Sequence, residues 1–188
     1  MPILGIMASS GSGANAVGSY ESIATANGTG SSGTITFTGI PSTYSHLQLR
    51  SIARGTQSGT FTNMTLRVGN GSIDSGSNYT YHRLFGSGST VTADGAANQT
   101  SGLFGITGTG TGSNTYYTSV IDFIDYKDTN KFKTIKSLDG YDNNGDGYIF
   151  LQSFLWRSTS AITDIQLTLG GGQSVTTASQ FALYGIKG

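Results

Sequence analysis

The chain of 188 residues has no cysteine. Disulfides, thiolate metal sites and cysteine nucleophiles are therefore excluded. A chain without thiols tolerates either redox state, so its compartment stays open, and its stability has to come from a core or from partner subunits. Charge is also scarce: 11% of residues are charged, about half the usual share of ~25%, and ten basic residues balance ten acidic ones. With zero net charge, no global field draws in nucleic acid or an anionic membrane, and neither is expected as a partner. Proline and histidine occur twice each. No stretch approaches the ~18 apolar residues of a membrane helix. What is abundant is glycine, with 29 residues, beside ten tyrosines and nine phenylalanines. Low charge with much Ser, Thr, Asn and Gly is compatible with disorder, but this aromatic and aliphatic content argues for a packed fold.

The apolar residues alternate with period two from about Tyr20 onward. In "GTITFTG", Ile35 and Phe37 share one face and the threonines the other; in "SHLQLRSIAR", Leu47, Leu49 and Ala53 oppose His46, Gln48 and Arg50. Met64, Leu66 and Val68 align in the same way, as do Ile165, Leu167 and Leu169. These are half-buried strands, separated by Gly/Asn/Ser clusters that permit positive φ. No window shows helical spacing with caps. About ten strands over ~170 residues predict an all-β fold, an antiparallel β-sandwich of jelly-roll type. Residues 18–188 form that single domain, preceded by a flexible N-terminal arm over 1–17. Residues 86–102 are expected to be the longest loop, of the kind that carries binding on rigid β scaffolds.

Two strands, "YYTSVIDFIDY" and "YIFLQSFLW", are apolar on both faces. A sandwich strand needs only one buried face, so the second meets a loop, a third layer or another subunit. A subunit contact is favoured because aromatics are enriched in interface cores. Tyr148, Phe150, Phe154 and Trp156, which share one face, are the candidate interface residues.

Few stretches look like chemistry. "DNNGDG", Asp142 to Gly147, matches the first half of a calcium loop, but position twelve is Ser153 rather than the bidentate Glu, and both flanks alternate like strands. A β-hairpin turn is expected, with Asn and Gly at positive φ. "GTGSSG", Gly28 to Gly33, matches a dinucleotide-binding glycine pattern, which requires a following helix; "TITFTG" reads as a strand. His46 and His82 lie in strand contexts without a nucleophile elbow or a fitting carboxylate cluster, so catalytic and zinc roles are not expected. Lys127, Lys131, Lys133 and Lys136, close to Asp122, Asp125 and Asp128, are expected in a solvated hairpin with cross-strand charge pairing. No catalytic residue, cofactor site or metal site is assigned, and the chain is not expected to be an enzyme. Exposed Tyr and Asn near loops would suit sugars, which the composition permits without showing.

The N-terminal run "MPILGIM" carries Ile3, Leu4, Ile6 and Met7 ahead of a Gly/Ser/Ala tether. It is short and has no preceding Lys or Arg, so a secretory signal is not expected. It is either an apolar arm that docks on a neighbour or a terminus without such a role.

Several stretches together, "YESIAT", "IPSTYSHLQLR", "SNYTYHRLFG", "IDFIDYKDTNKFKTIKSLDGYDN" and the terminal "FALYGIKG", resemble a family of small virion structural proteins of tailed bacteriophages, from about Gly18 to Gly188. Members are described as capsid decoration (cement) proteins or as tail or head fibre proteins. The resemblance implies a β-sandwich, a homotrimer, and a place on the virion capsid surface after synthesis in the host cytoplasm. It implies the major capsid protein as partner, with Ile3, Leu4, Ile6 and Met7 as the capsid-docking arm. A fibre protein that binds a host receptor or surface glycan is the alternative. A fibre usually adds a repetitive shaft or a helical anchor, and an open reading frame of this length from Met1 fits a decoration subunit better.

Overall fold

The computed structural model describes residues 18–188. These residues form twelve strands and no helix: β1 Tyr20–Asn27, β2 Thr34–Phe37, β3 His46–Ala53, β4 Phe61–Gly69, β5 Tyr79–Ser87, β6 Thr90–Gln99, β7 Gly102–Thr107, β8 Tyr117–Phe123, β9 Lys133–Asp142, β10 Gly147–Trp156, β11 Asp164–Leu169 and β12 Gln180–Ile186. All ladders between them are antiparallel. One sheet has eight strands in the order β1-β12-β3-β8-β9-β10-β5-β6; the other has four, β2-β11-β4-β7. The fold is a β-sandwich, as the alternation predicts. The division into eight and four leaves the jelly-roll part of the expectation without support, since that architecture has eight strands in all. The proposed arm over residues 1–17, including Ile3, Leu4, Ile6 and Met7, lies outside the described residues.

The core lies between the sheets, and the alternation decides which side chains enter it. Leu47 and Leu49 of β3, Ile121 and Phe123 of β8, and Phe181 and Leu183 of β12 project from the large sheet. Met64, Leu66 and Val68 of β4 meet them from the small sheet with Ile165 and Leu167 of β11. All of these are fully buried, which at ~1.5–3 kcal/mol per side chain is the main stabilising term. A second aromatic cluster joins Tyr117, Tyr141 and Phe150 to Phe61, Phe85 and Tyr148. Close packing there depends on Gly105, where an added Cβ would stand 2.3 Å from the Tyr117 ring.

Two stretches differ from the expectation. Most of residues 86–102 is not a loop but β6, paired with β5. β6 is exposed on both faces, so no alternation marks it. Lys133 is not solvated: it is 1% exposed. Its ammonium donates to the carbonyls of Asp128, Lys131 and Thr159 and ties the β8–β9 and β10–β11 connections together. Its neighbour Lys131 does pair at the surface with Asp125 and Asp128. Arg54 is buried too; its guanidinium donates to Thr111 Oγ1 and to the carbonyls of Thr111, Gly112 and Thr115, fixing the β7–β8 connection without a carboxylate.

Candidate docking face

The eight-stranded sheet has a second face, turned away from the core. Side chains there come from the alternate positions of the same strands, and register sets them in rows. One row runs Arg50, Val120, Leu138, Leu151, Leu84, Ala93 across β3, β8, β9, β10, β5 and β6. The next runs Ile52, Thr118, Gly140, Ile149, Gly86, Val91. A third runs Gln48, Asp122, Lys136, Ser153, His82, Gly95. The first two rows are apolar at their centre and the third is polar.

This apolar centre is open. Leu138 is 54% exposed, Ile149 61%, Leu151 57%, Leu84 50% and Val91 73%. Scattered exposed apolar residues are ordinary, whereas a contiguous group on one sheet face marks a contact surface. Gly140 and Gly86 flank Ile149 in the second row and keep the sheet bare on either side of it. A groove of about 760 Å³ follows, lined by Val120, Leu138 and Ile149 and closed at one end by the Asp142–Gly147 turn. A smaller one of about 530 Å³ lies between Leu84, Ala93, Leu151 and Lys136.

At the β1 side, the face becomes aromatic and polar. The Tyr20 and Tyr184 rings stack with centroids 4.8 Å apart, and the Arg50 guanidinium lies 5.4 Å from the first. Tyr20 donates its hydroxyl to Gln48 Oε1. Gln48 in turn donates to Asp122 Oδ1 at 2.7 Å and accepts from Arg50 Nε at 2.8 Å. Burial, ahead of its charged neighbours, holds the Tyr20 hydroxyl above the usual phenol value.

The proposed interface residues lie on the opposite side of β10. Phe150, Phe154 and Trp156 are buried in this chain's own core, and Tyr148 is half-buried in the aromatic cluster. The Trp156 indole donates to Asp74 Oδ2 at 2.7 Å. The strand does carry a second apolar face, but its exposed members are Ile149 and Leu151. The larger aromatic rings face inward, where they bury the most apolar area, and the smaller aliphatic residues face outward.

Comparison with protein-family models, with curated proteins and with solved structures gives no match.

The remaining sequence candidates lie on turns and strands. Asp142–Gly147 is the turn of the β9–β10 hairpin, with φ of 59° at Asn144 and 96° at Gly145. Asp142 Oδ1 accepts the Asn144 N–H at 2.8 Å, and Asn143 Oδ1 accepts the Gly112 N–H at 3.3 Å. Gly28–Gly33 leads into β2, a strand. His46 Nδ1 accepts the Asp125 N–H at 3.0 Å, while His82 stands on the outer face. Among the described residues, no three His, Asp or Glu side chains gather as they would around a metal ion.

One buried polar group is unlike the rest. Asp139 is 3% exposed on the inner face. It accepts from the Tyr117 hydroxyl at 2.6 Å, the Ser137 hydroxyl at 2.7 Å and the Gln152 amide at 2.9 and 3.1 Å. Burial pushes its carboxyl above the usual range despite these donors, and burial with the adjacent carboxylate pushes the Tyr117 hydroxyl up. Sequence reasoning missed this cluster, because Ser137, Asp139 and Gln152 look like ordinary polar positions until register brings them together.

Proposed function

We propose that this protein is a structural subunit of a phage virion, a capsid decoration protein that docks on major capsid subunits through the outer face of its eight-stranded sheet. The observation that carries the docking role is the open apolar centre formed by Leu84, Val91, Leu138, Ile149 and Leu151. The virion assignment rests on the resemblance in the sequence. A protein that binds the assembled shell and not its open form shifts the balance toward the shell, and repeated symmetric contacts multiply a modest contribution per site. In this account Ile3, Leu4, Ile6 and Met7 add a second contact to a neighbouring capsid subunit. Labelling virions with an antibody against the protein and imaging them by electron microscopy tests the assignment. Label over the capsid surface supports it; unlabelled particles overturn it.

A fibre protein that binds a surface glycan is the second reading. The Tyr20–Tyr184 pair beside Arg50, Gln48 and Asp122 favours it, since sugars are held by ring stacking and planar hydrogen bonding. It requires label at the tail or at fibres. It also requires glycan-array binding that Tyr20→Ala abolishes.

A further inference from the structure

A sheet edge is an unpaired row of backbone N–H and C=O groups, and proteins normally blunt it by shortness, charge, bulges or cover. The described residues have four such edges. β2 is four residues long. β1 has a register shift between Ser22 and Ala24, and Glu21 on it is paired with Lys187. β7 is covered at its end, where Gly55 donates to the Thr107 carbonyl and Arg54 bridges the same residue. β6 has less protection. It is ten residues long, Thr90–Gln99, with no Lys, Arg or Pro, and among the described residues its only ladder is with β5. Its irregularity, opposite Tyr79 and Tyr81, affects only the far end. Thr90–Gly95 is regular and exposed on both faces. Its one charge, Asp94, is neutralised by Arg83, whose Nε and Nη2 reach the two carboxylate oxygens at 2.7 and 2.5 Å.

We propose that β6 is a self-association edge: it pairs antiparallel with β6 of a second copy about a two-fold axis at Ala93, joining the two eight-stranded sheets into one. The occupant is a second copy because the residues match themselves in this register. Residues opposite each other in an antiparallel pair lie on the same face. With Ala93 opposite its own copy, Val91 faces Gly95, which has no side chain. The His82 ring lies over Gly95, at 2.7 Å from where its Cβ would stand, so Val91 gains a surface to pack on. On the other face Thr92 stands opposite Asp94 and can donate its hydroxyl to the carboxylate. A register centred on Asp94 would instead set Thr92 opposite Ala96 and lose that hydroxyl–carboxylate pair. The pairing makes the apolar outer faces of the two copies continuous. It does not rest on the virion assignment. Being two-fold, it gives even-numbered assemblies, unlike the trimer that the resemblance implies.

The absence of cysteine allows a clean test. Antiparallel partners have Cα atoms about 4.5–5.5 Å apart, within the ~4.4–6.8 Å span of a disulfide. In the full-length chain, Ala93→Cys should form a covalent dimer on mild oxidation. Ser58→Cys, at an exposed turn, serves as the control for random collision. At micromolar protein, paired edges hold the thiols at millimolar effective concentration, so Ala93→Cys should link roughly a thousandfold faster. Sedimentation of the unmodified chain should show an even-numbered mass, and Ala93→Lys, which sets like charges against each other at an exposed position, should release monomers with an unchanged β spectrum. Linking of Ala93→Cys no faster than the control overturns the pairing. So does a three-copy mass that Ala93→Lys leaves intact, an outcome that would leave the virion assignment standing.

Discussion

Replacing Asp139 by alanine should destabilise the sandwich more than any surface change. The carboxylate is the common acceptor of three buried side-chain donors: the Tyr117 hydroxyl, the Ser137 hydroxyl and the Gln152 amide. Its removal leaves all three facing an empty site in the core. An orphaned buried donor costs ~1–3 kcal/mol. Rotation of the hydroxyls recovers part of this, and alanine spares the cost of carrying a carboxylate inward. The net loss should be ~3 kcal/mol, near that of breaking a buried polar pair. For a domain of this size it corresponds to a melting temperature lower by ~6–12 °C. Urea unfolding at pH 7 with a thermal scan measures both. Asp139→Asn should cost less, because Gln152 Oε1, a buried atom without a partner among the described residues, can turn toward the new amide. The two side chains also differ in pH dependence. Burial raises the Asp139 carboxyl, so the folded chain holds that proton more tightly than the unfolded one. Its stabilising contribution is therefore full below the ordinary value of 3.8 and is lost as pH rises through the raised folded value. The stability of the natural chain relative to Asp139→Asn should fall with rising pH across that window. A loss below ~1 kcal/mol for the alanine variant, the net worth of one ordinary hydrogen bond, would refute the cluster's structural role. A difference that grows with pH would refute the stated sign.

Three other outcomes follow from the packing. Tyr79→Phe should cost ~1–3 kcal/mol in urea unfolding, because the buried Tyr79 hydroxyl donates to Val68 O and Asp74 O and accepts the Val68 N–H. Gly105→Ala should lower stability by ~1–3 kcal/mol, read by the same unfolding curves, since its methyl group would enter the Tyr117 ring. Calorimetric titration of calcium should show no binding tighter than millimolar, because the Asp142–Gly147 turn satisfies Asp142 and Asn143 with backbone N–H groups; micromolar affinity would contradict the turn assignment.

The sequence made the half-buried strands legible wherever one face was buried. β2, β3, β4 and β11 follow from Ile35, Leu47, Met64 and Ile165 at period two, and the antiparallel sandwich follows from their spacing. The same logic hid β6, whose two exposed faces impose no alternation. It also detected that β10 has two apolar faces without deciding which one is exposed. Aromatic enrichment pointed to Phe150, Phe154 and Trp156, but a gap between two sheets is where large rings bury most area, and the surface was left with Ile149 and Leu151. Lys133 and Arg54 were unreadable for a different reason. Their partners are backbone carbonyls of loops distant in sequence, and carbonyls leave no mark in a residue pattern. The exposed apolar face belongs to the same class: each of its residues is ordinary alone, and only register across six strands collects them.

The most direct measurement of the central claim is capsid binding by the double variant Leu138→Glu/Leu151→Glu. Both positions are exposed, 54% and 57%, and opposite each other on β9 and β10, so the sandwich should fold unchanged, as circular dichroism can verify. About half of each leucine is left to bury on a partner, worth ~0.8–1.5 kcal/mol apiece, so losing both should weaken binding to purified undecorated capsids at least about tenfold. The natural chain should co-sediment with capsids and the folded double variant should not. A folded double variant that decorates capsids as fully as the natural chain would contradict it.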